Sequence, residues 1–246
     1  MSAIGVTAQE KLAATSVLLS GAGGVGNILA MDLVSSGFRR FWLIDGQSIE
    51  LDNLSRFPCA ALEDTGQPKV KILADHLRRR GAEVEAAFTG NEDPSVEPLY
   101  QEAGWIVCAS NTVASRLLCA SKAVQYRKPL LDVAVADGRS AFAGCIKLRL
   151  PGCPWSACPG CYFGPDVQFP RTEALIPTVV AVTAAFAAHV LFQLVTGVAD
   201  RQLWRHNFIT INVGTRHEIE MYRVNRRPTC QVCGSAAGDA TPPELP

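Results

Sequence analysis

Short apolar blocks alternate with segments of helical spacing along the first half of the chain. SVLLS (16–20) stops at a glycine cluster, and residues 27–36 then set Ile28, Met31, Leu33 and Val34 at helical intervals. FWLID (41–45), VEAAF (84–88), WIVCA (105–109) and PLLDV (129–133) are further runs of strand length, with helical stretches near 95–103 and 112–126. Between FWLID and VEAAF, residues 69–80 turn Val70, Leu73 and Leu77 inward. Arg78, Arg79 and Arg80 there suit the negative end of a helix dipole. This alternation predicts a doubly wound, Rossmann-like α/β fold with a mostly parallel sheet and helices on both faces.

After Val133 the pattern changes. AGCIKLRL (143–150) reads as an exposed or edge strand and leads into a loop crowded with Pro, Gly and Cys. An apolar stretch follows at 176–197, and two late strands lie near NFITINV (207–213) and EIEMYRV (218–224). The apolar stretch is long enough to span a bilayer. It contains Pro177, His189 and Gln193, however, and lacks flanking aromatic or basic anchors, so it is expected to be a buried or subunit-interface helix. No basic segment leads into an apolar run at the N-terminus, and no membrane partner is expected.

Composition narrows the partners. Of 246 residues 48% are hydrophobic, enough for one large domain, and 23 basic residues balance 23 acidic ones. That balance argues against a nucleic-acid surface. Nine cysteines without a signal peptide suit a reducing, cytoplasmic setting.

Candidate chemistry begins with GAGGVG at 21–26, which satisfies G-x-G-x-x-G through Gly21, Gly23 and Gly26 between a strand and a helix. Such glycines permit a tight turn and a close backbone approach to phosphate, and the helix N-terminus beyond offers N–H groups and a positive dipole end. Asp45 ends the next strand, 24 residues after Gly21, where a carboxylate accepts ribose hydroxyls. The loop alone does not separate NAD from ATP. IELDNLSRF (49–57) then adds Asn53 and Arg56, and GQPKV (66–70) adds Lys69 at a helix start. Two cations beside a phosphate cradle exceed what a dinucleotide's pyrophosphate needs and suit a triphosphate reacting at its α-phosphorus.

Cys158-Pro-Gly-Cys161 and Cys230-Gln-Val-Cys233 present four thiols as two zinc-knuckle pairs, with 68 residues between them. Four sulfurs make a closed, structural zinc site. A pair of redox Cys-x-x-Cys motifs is the competing reading. Cys59, Cys108, Cys119, Cys145 and Cys153 are scattered and read as structural thiols.

GAGGVG, the acid-ended second strand, NLSR and GQPKV, in this order, resemble the adenylation core of the ThiF/MoeB/HesA family, bacterial relatives of ubiquitin-activating enzymes. The resemblance runs from about residue 10 to 234. It implies ATP held by Gly21, Gly23, Gly24 and Gly26, ribose on Asp45, and phosphates on Asn53, Arg56 and Lys69. It further implies structural zinc on the two cysteine pairs and a homodimer built on the apolar helix. The implied reaction is attack of a carboxylate on the α-phosphate of ATP, giving an acyl-adenylate and pyrophosphate. The carboxylate belongs to a ubiquitin-like sulfur carrier, a peptide or a small acid. One domain is expected over 1–234, with a nucleotide-binding half (1–135) and a substrate, zinc and dimer half (136–234), ahead of a disordered tail at 235–246.

Three departures from that family stand out. Where relatives place a magnesium-binding aspartate, this chain reads CASN (108–111), with Ser110 in that place and Asn111 beside it. No arginine precedes Arg39, although relatives send an N-terminal arginine into the partner's site, and the loop around 170–173 has no cysteine for thioester transfer. Asp132 ends PLLDV, a strand expected beside the one leading to Ser110, and is the candidate to supply magnesium's missing carboxylate. A catalytically silent subunit supporting an active partner is the alternative to an enzyme. An NAD-dependent oxidoreductase is a third reading, which leaves NLSR, GQPKV and the cysteine pairs unexplained.

Overall fold

The computed structural model describes residues 4–135, 142–153, 155–163, 175–198, 203, 205–214 and 216–234. The tail at 235–246 and the loop at 170–173 lie outside these. Five strands run parallel: β1 (Ser16–Ser20), β2 (Arg40–Ile44), β3 (Glu83–Ala87), β4 (Trp105–Cys108) and β5 (Leu130–Val135). Three more continue the sheet antiparallel: β6 (Ala143–Arg149), β7 (Phe208–Asn212) and β8 (Glu218–Tyr222). The order β3-β2-β1-β4-β5-β6-β7-β8 puts β1 at the reversal point, so a crevice opens where β1 and β4 diverge at their carboxyl ends.

Helices cover both faces. α1 (Gly5–Ala14), α2 (Gly24–Ser36), α3 (Lys69–Arg79) and the long α7 (Pro177–Thr196) build the larger core. α4 (Glu97–Glu102), α5 (Val113–Gln125) and the short α6 (Pro159–Tyr162) build the other. α2 buries Leu29 and Leu33 completely, each contributing roughly 1.5–3 kcal/mol relative to exposure. It ends in a Schellman turn, with Gly37 at φ 116° and Phe38 N–H donating to the Leu33 carbonyl at 3.1 Å.

The apolar stretch at 176–197 is α7. Its mean hydropathy of 2.0 and its length would let it cross a bilayer, yet half of it is buried in the fold. Val180, Ala184, Ala187 and Leu191 pack inward against α2 and the sheet. A methyl at Gly144 would lie 2.0 Å from Thr183 Oγ1, so a glycine in β6 is what lets the helix lie so close. Thr178, Val182, Ala185 and His189 face outward.

One expectation is overturned. β6 is an interior strand, paired with β5 and β7 on its two sides, and its charged residues Lys147 and Arg149 are buried. Their charges suggested a solvent face. They are accommodated instead by partners that reach them from other elements, Asp132 on β5 for Lys147 and the carbonyls of Ala123 and Lys128 for Arg149.

Candidate functional site

The three glycines of the loop's G-x-G-x-x-G pattern do three different things. Gly21 has φ +96°, and a Cβ there would sit 2.8 Å from the Ala109 carbonyl carbon and the Ser110 nitrogen, so the turn presses on the end of β4. A Cβ on Gly26 would lie 1.9 Å from the Gly21 carbonyl oxygen, so this glycine lets α2 pack on the turn. Nothing lies within 4 Å of a Cβ built on Gly23, which leaves the N-terminus of α2 open toward the crevice. The first turn of any helix carries N–H groups without helical partners and a partial positive charge. Two glycines are thus required by packing, and the third faces open space where an anion fits.

Asp45, just past β2, braces this loop. Its Oδ2 accepts the Ala22 N–H at 2.8 Å and its Oδ1 accepts the Gln47 N–H at 2.8 Å. A carboxylate has about four acceptor positions, so two remain for a ligand. Gln47 also accepts Lys69 Nζ at 2.9 Å, which ties the lysine at the start of α3 to the same rim.

Arg56 lies in the 3₁₀ turn Leu51–Arg56. Its aliphatic stem crosses the start of α2, with Cδ 3.1 Å from a Cβ built on Gly24, so a larger residue at Gly24 would collide with it. Its guanidinium donates to the Asp52 carbonyl at 2.9 Å and lies 3.4 Å from the Asp52 carboxylate, leaving further N–H donors. Asn53 is turned to local use: it accepts the Glu50 N–H at 3.4 Å and donates to Asp52 at 2.7 Å, capping its own turn. The structure therefore brings Arg56 and Asp45 to the glycine loop, links the buried Lys69 to that rim only through Gln47, and leaves Asn53 in the wall behind.

Asp132 does not reach the crevice as a free carboxylate. It is fully buried, with Oδ1 held by Arg116 Nη1 from α5 and Oδ2 by Lys147 Nζ from β6 at 3.1 Å. Burial alone would raise its pKa, but the two cations outweigh that and hold it below the usual carboxylate range. Arg116 donates further to the Val133 carbonyl at 3.1 Å, and Lys147 Nζ lies 5.1 Å from the Phe163 ring centroid. The side chain has no exposed surface and its charge is already balanced by two internal cations, so the expectation that Asp132 supplies a metal ligand is corrected. Ser110 is nearly as enclosed. Its hydroxyl lies 2.8 Å from that of Ser20 and 3.3 Å from the Ser20 carbonyl, while Asn111 is exposed beside it. Asp132 and Ser110 therefore present no open oxygen to a magnesium ion at this end of β4.

The four cysteines meet as their spacing suggests. The Sγ atoms of Cys158, Cys161, Cys230 and Cys233 all lie within 4.8 Å of one another, and all four residues are buried. Cys158 and Cys230 are 3.7 Å apart and Cys161 and Cys233 are 3.5 Å apart. Four sulfurs at about 2.3 Å from a tetrahedral zinc stand about 3.8 Å from each other, whereas a disulfide brings them to about 2.05 Å. The donor set therefore fits zinc. Arg227 N–H donates to Cys161 Sγ at 3.4 Å, and its guanidinium donates to the carbonyls of Gly160 (2.6 Å) and Phe163 (2.9 Å), so one arginine holds both knuckles together.

Several contributors escaped the sequence reading. Asn27 is buried in α2 and donates to the carbonyls of Gly23 (2.7 Å), Gly24 (2.9 Å) and Arg56 (3.1 Å), clamping loop to turn. Its signal is weak but present: a lone amide in an otherwise apolar first turn. Gln47, Arg116 and Lys147 act through partners distant in sequence.

The ThiF family model matches residues 1–232. Protein HesA of Leptolyngbya boryana is 30% identical over 233 residues, 94% of this chain and 81% of that protein. The sulfur carrier protein ThiS adenylyltransferase of Escherichia coli is 24% identical over 247 residues, 96% of this chain and 92% of that protein. Among solved structures, E. coli MccB with ATP aligns at a TM-score of 0.76 and 22% identity, covering 92% of this chain and 69% of that one, and so shares the fold. The glycine loop, its acid and cations, the sheet order and the extent of these matches agree: the chain belongs to the ThiF family.

Proposed function

We propose that this chain is an ATP-dependent adenylyltransferase that activates a carboxylate. A carboxylate oxygen attacks the α-phosphorus, the bond from that phosphorus to the bridging oxygen breaks, and pyrophosphate leaves with the electron pair. No base is needed, because the nucleophile is already ionised. The observation that carries the reading is the open α2 N-terminus at Gly23 with Asp45 and Arg56 beside it and Lys69 tied to the Asp45 turn through Gln47. The helix end and loop cradle phosphates, Asp45 accepts ribose hydroxyls, and Arg56 and Lys69 offset the charge that builds in the transition state. Zinc on the four cysteines is structural, tying α6 to the segment after β8.

The carboxylate is a ubiquitin-like C-terminus, a peptide or a small acid. Relatives span the first two by name, among them the NEDD8-activating enzyme catalytic subunit of Arabidopsis thaliana and E. coli MccB with the MccA peptide. The outward face of α7 pairs with a second copy in a cytoplasmic homodimer. The captive state of Asp132 and Ser110 favours one second reading, a silent subunit that supports an active partner. Calorimetric titration separates these from a dehydrogenase. ATP should bind more tightly than NAD, and Arg56→Ala and Lys69→Ala should each weaken ATP; tighter NAD binding would contradict the proposal.

A further inference from the structure

β1, β2 and β3 end level. Ser20 is paired with Ile44, and Ile44 with Ala87. The ladder continues one step further, with Gly21 N–H donating to the Ile44 carbonyl at 2.8 Å and Asp45 N–H to the Ala87 carbonyl at 3.3 Å. Gly21, Asp45 and Phe88 therefore stand abreast on three adjacent strands, about 4.8 Å apart at each step. Alternation along a strand fixes their side. Phe41, Leu43 and Val84 face the core beside α2 and α3, while Trp42, Ile44 and Ala87 face the other. Asp45 and Phe88 continue the first set, so both project toward the side on which α2 begins.

Phe88 is 54% exposed at this rim. The order across the rim is phosphate-cradling turn, ribose-accepting acid and bare aromatic ring. A nucleotide is built in the same order: phosphate, sugar, base. We infer that Phe88 is the platform on which the purine base of the nucleotide stacks. This rests on the nucleotide reading above and adds a residue to it. Stacking needs no hydrogen-bond partner and grows with the area of the ring, so the site should favour purines over pyrimidines. Gly46 allows the neighbouring loop to come near, since a Cβ there would lie 3.3 Å from the Thr89 carbonyl carbon.

The test uses the full chain with Phe88→Ala and Phe88→Trp, each checked for an unchanged melting profile, with affinities for ATP and for base-free tripolyphosphate. Phe88→Ala should weaken ATP by about 5- to 100-fold and leave tripolyphosphate unchanged. Phe88→Trp should keep ATP affinity and add an ATP-dependent fluorescence change beyond that of the four native tryptophans, which tripolyphosphate does not produce. Wild-type ATP affinity in Phe88→Ala, or equal loss of both ligands, would overturn the role of Phe88 alone. A wild-type chain that binds neither ligand would overturn the nucleotide reading, and this inference with it.

Discussion

Replacing Asp132 with asparagine leaves Arg116 and Lys147 buried and facing a neutral amide. The side chain is 0% exposed, and it contacts Arg116 through one oxygen and Lys147, at 3.1 Å, through the other. Removing one partner of a buried ionic cluster costs about 3–5 kcal/mol, and two stranded cations place this case toward the upper end. For a domain of this size that lowers Tm by about 6–20 °C. The double variant Asp132→Asn/Lys147→Met should recover part of the loss, because one stranded charge is removed with it. The pH dependence follows from the depressed carboxyl and the raised lysine. The carboxylate's stabilisation is fully present above its unfolded pKa of about 3.9 and disappears as pH falls through its lower folded value. The lysine's contribution is present below about pH 10.4 and lost as pH rises through its higher folded value. Wild type should therefore lose more stability in acid than Asp132→Asn does, the remaining acid limb coming from groups such as Glu97. Urea denaturation across pH, with ATP affinity measured alongside, reads all of this. A change below 1 kcal/mol, or lost magnesium-dependent turnover with intact stability, would refute the structural role and return Asp132 to the metal.

Freshly purified protein should carry about one zinc per chain on sulfur ligands, seen by elemental analysis and X-ray absorption; an absent metal would contradict the site. Arg227→Ala should speed zinc release to a chelator, since its guanidinium joins Gly160 and Phe163 to the second knuckle; unchanged release would deny it that role. Light scattering at micromolar concentration should give a dimer that Val182→Glu weakens, and a monodisperse monomer would count against pairing through α7.

The fold was legible because its signals are local. GAGGVG, the acid 24 residues after its first glycine and the paired cysteines each occupy a few adjacent positions, and strand–helix alternation fixed the parallel half. What stayed hidden depends on pairing across the sheet. Lys147 and Arg149 marked β6 as an edge, and Asp132 looked available, because nothing local joins residues 132 and 147. Register does: Asp132 lies directly opposite Lys147. A charge in the middle of an otherwise apolar strand calls for a counter-charge, and each was the other's. Phe88 was hidden differently. It looked like the last apolar residue of a strand, and only the level ends of β1, β2 and β3 put it on the rim.

The central claim is carboxylate activation, and pyrophosphate exchange tests it most directly. Labelled pyrophosphate is followed into ATP with the wild-type chain and a panel of acids, including proteins that end in Gly-Gly. Exchange that depends on one class of carboxylate, and that falls with Arg56→Ala or Lys69→Ala, is the expected result. ATP binding without exchange on any acid, together with exchange gained in Ser110→Asp, would contradict it and identify a silent subunit.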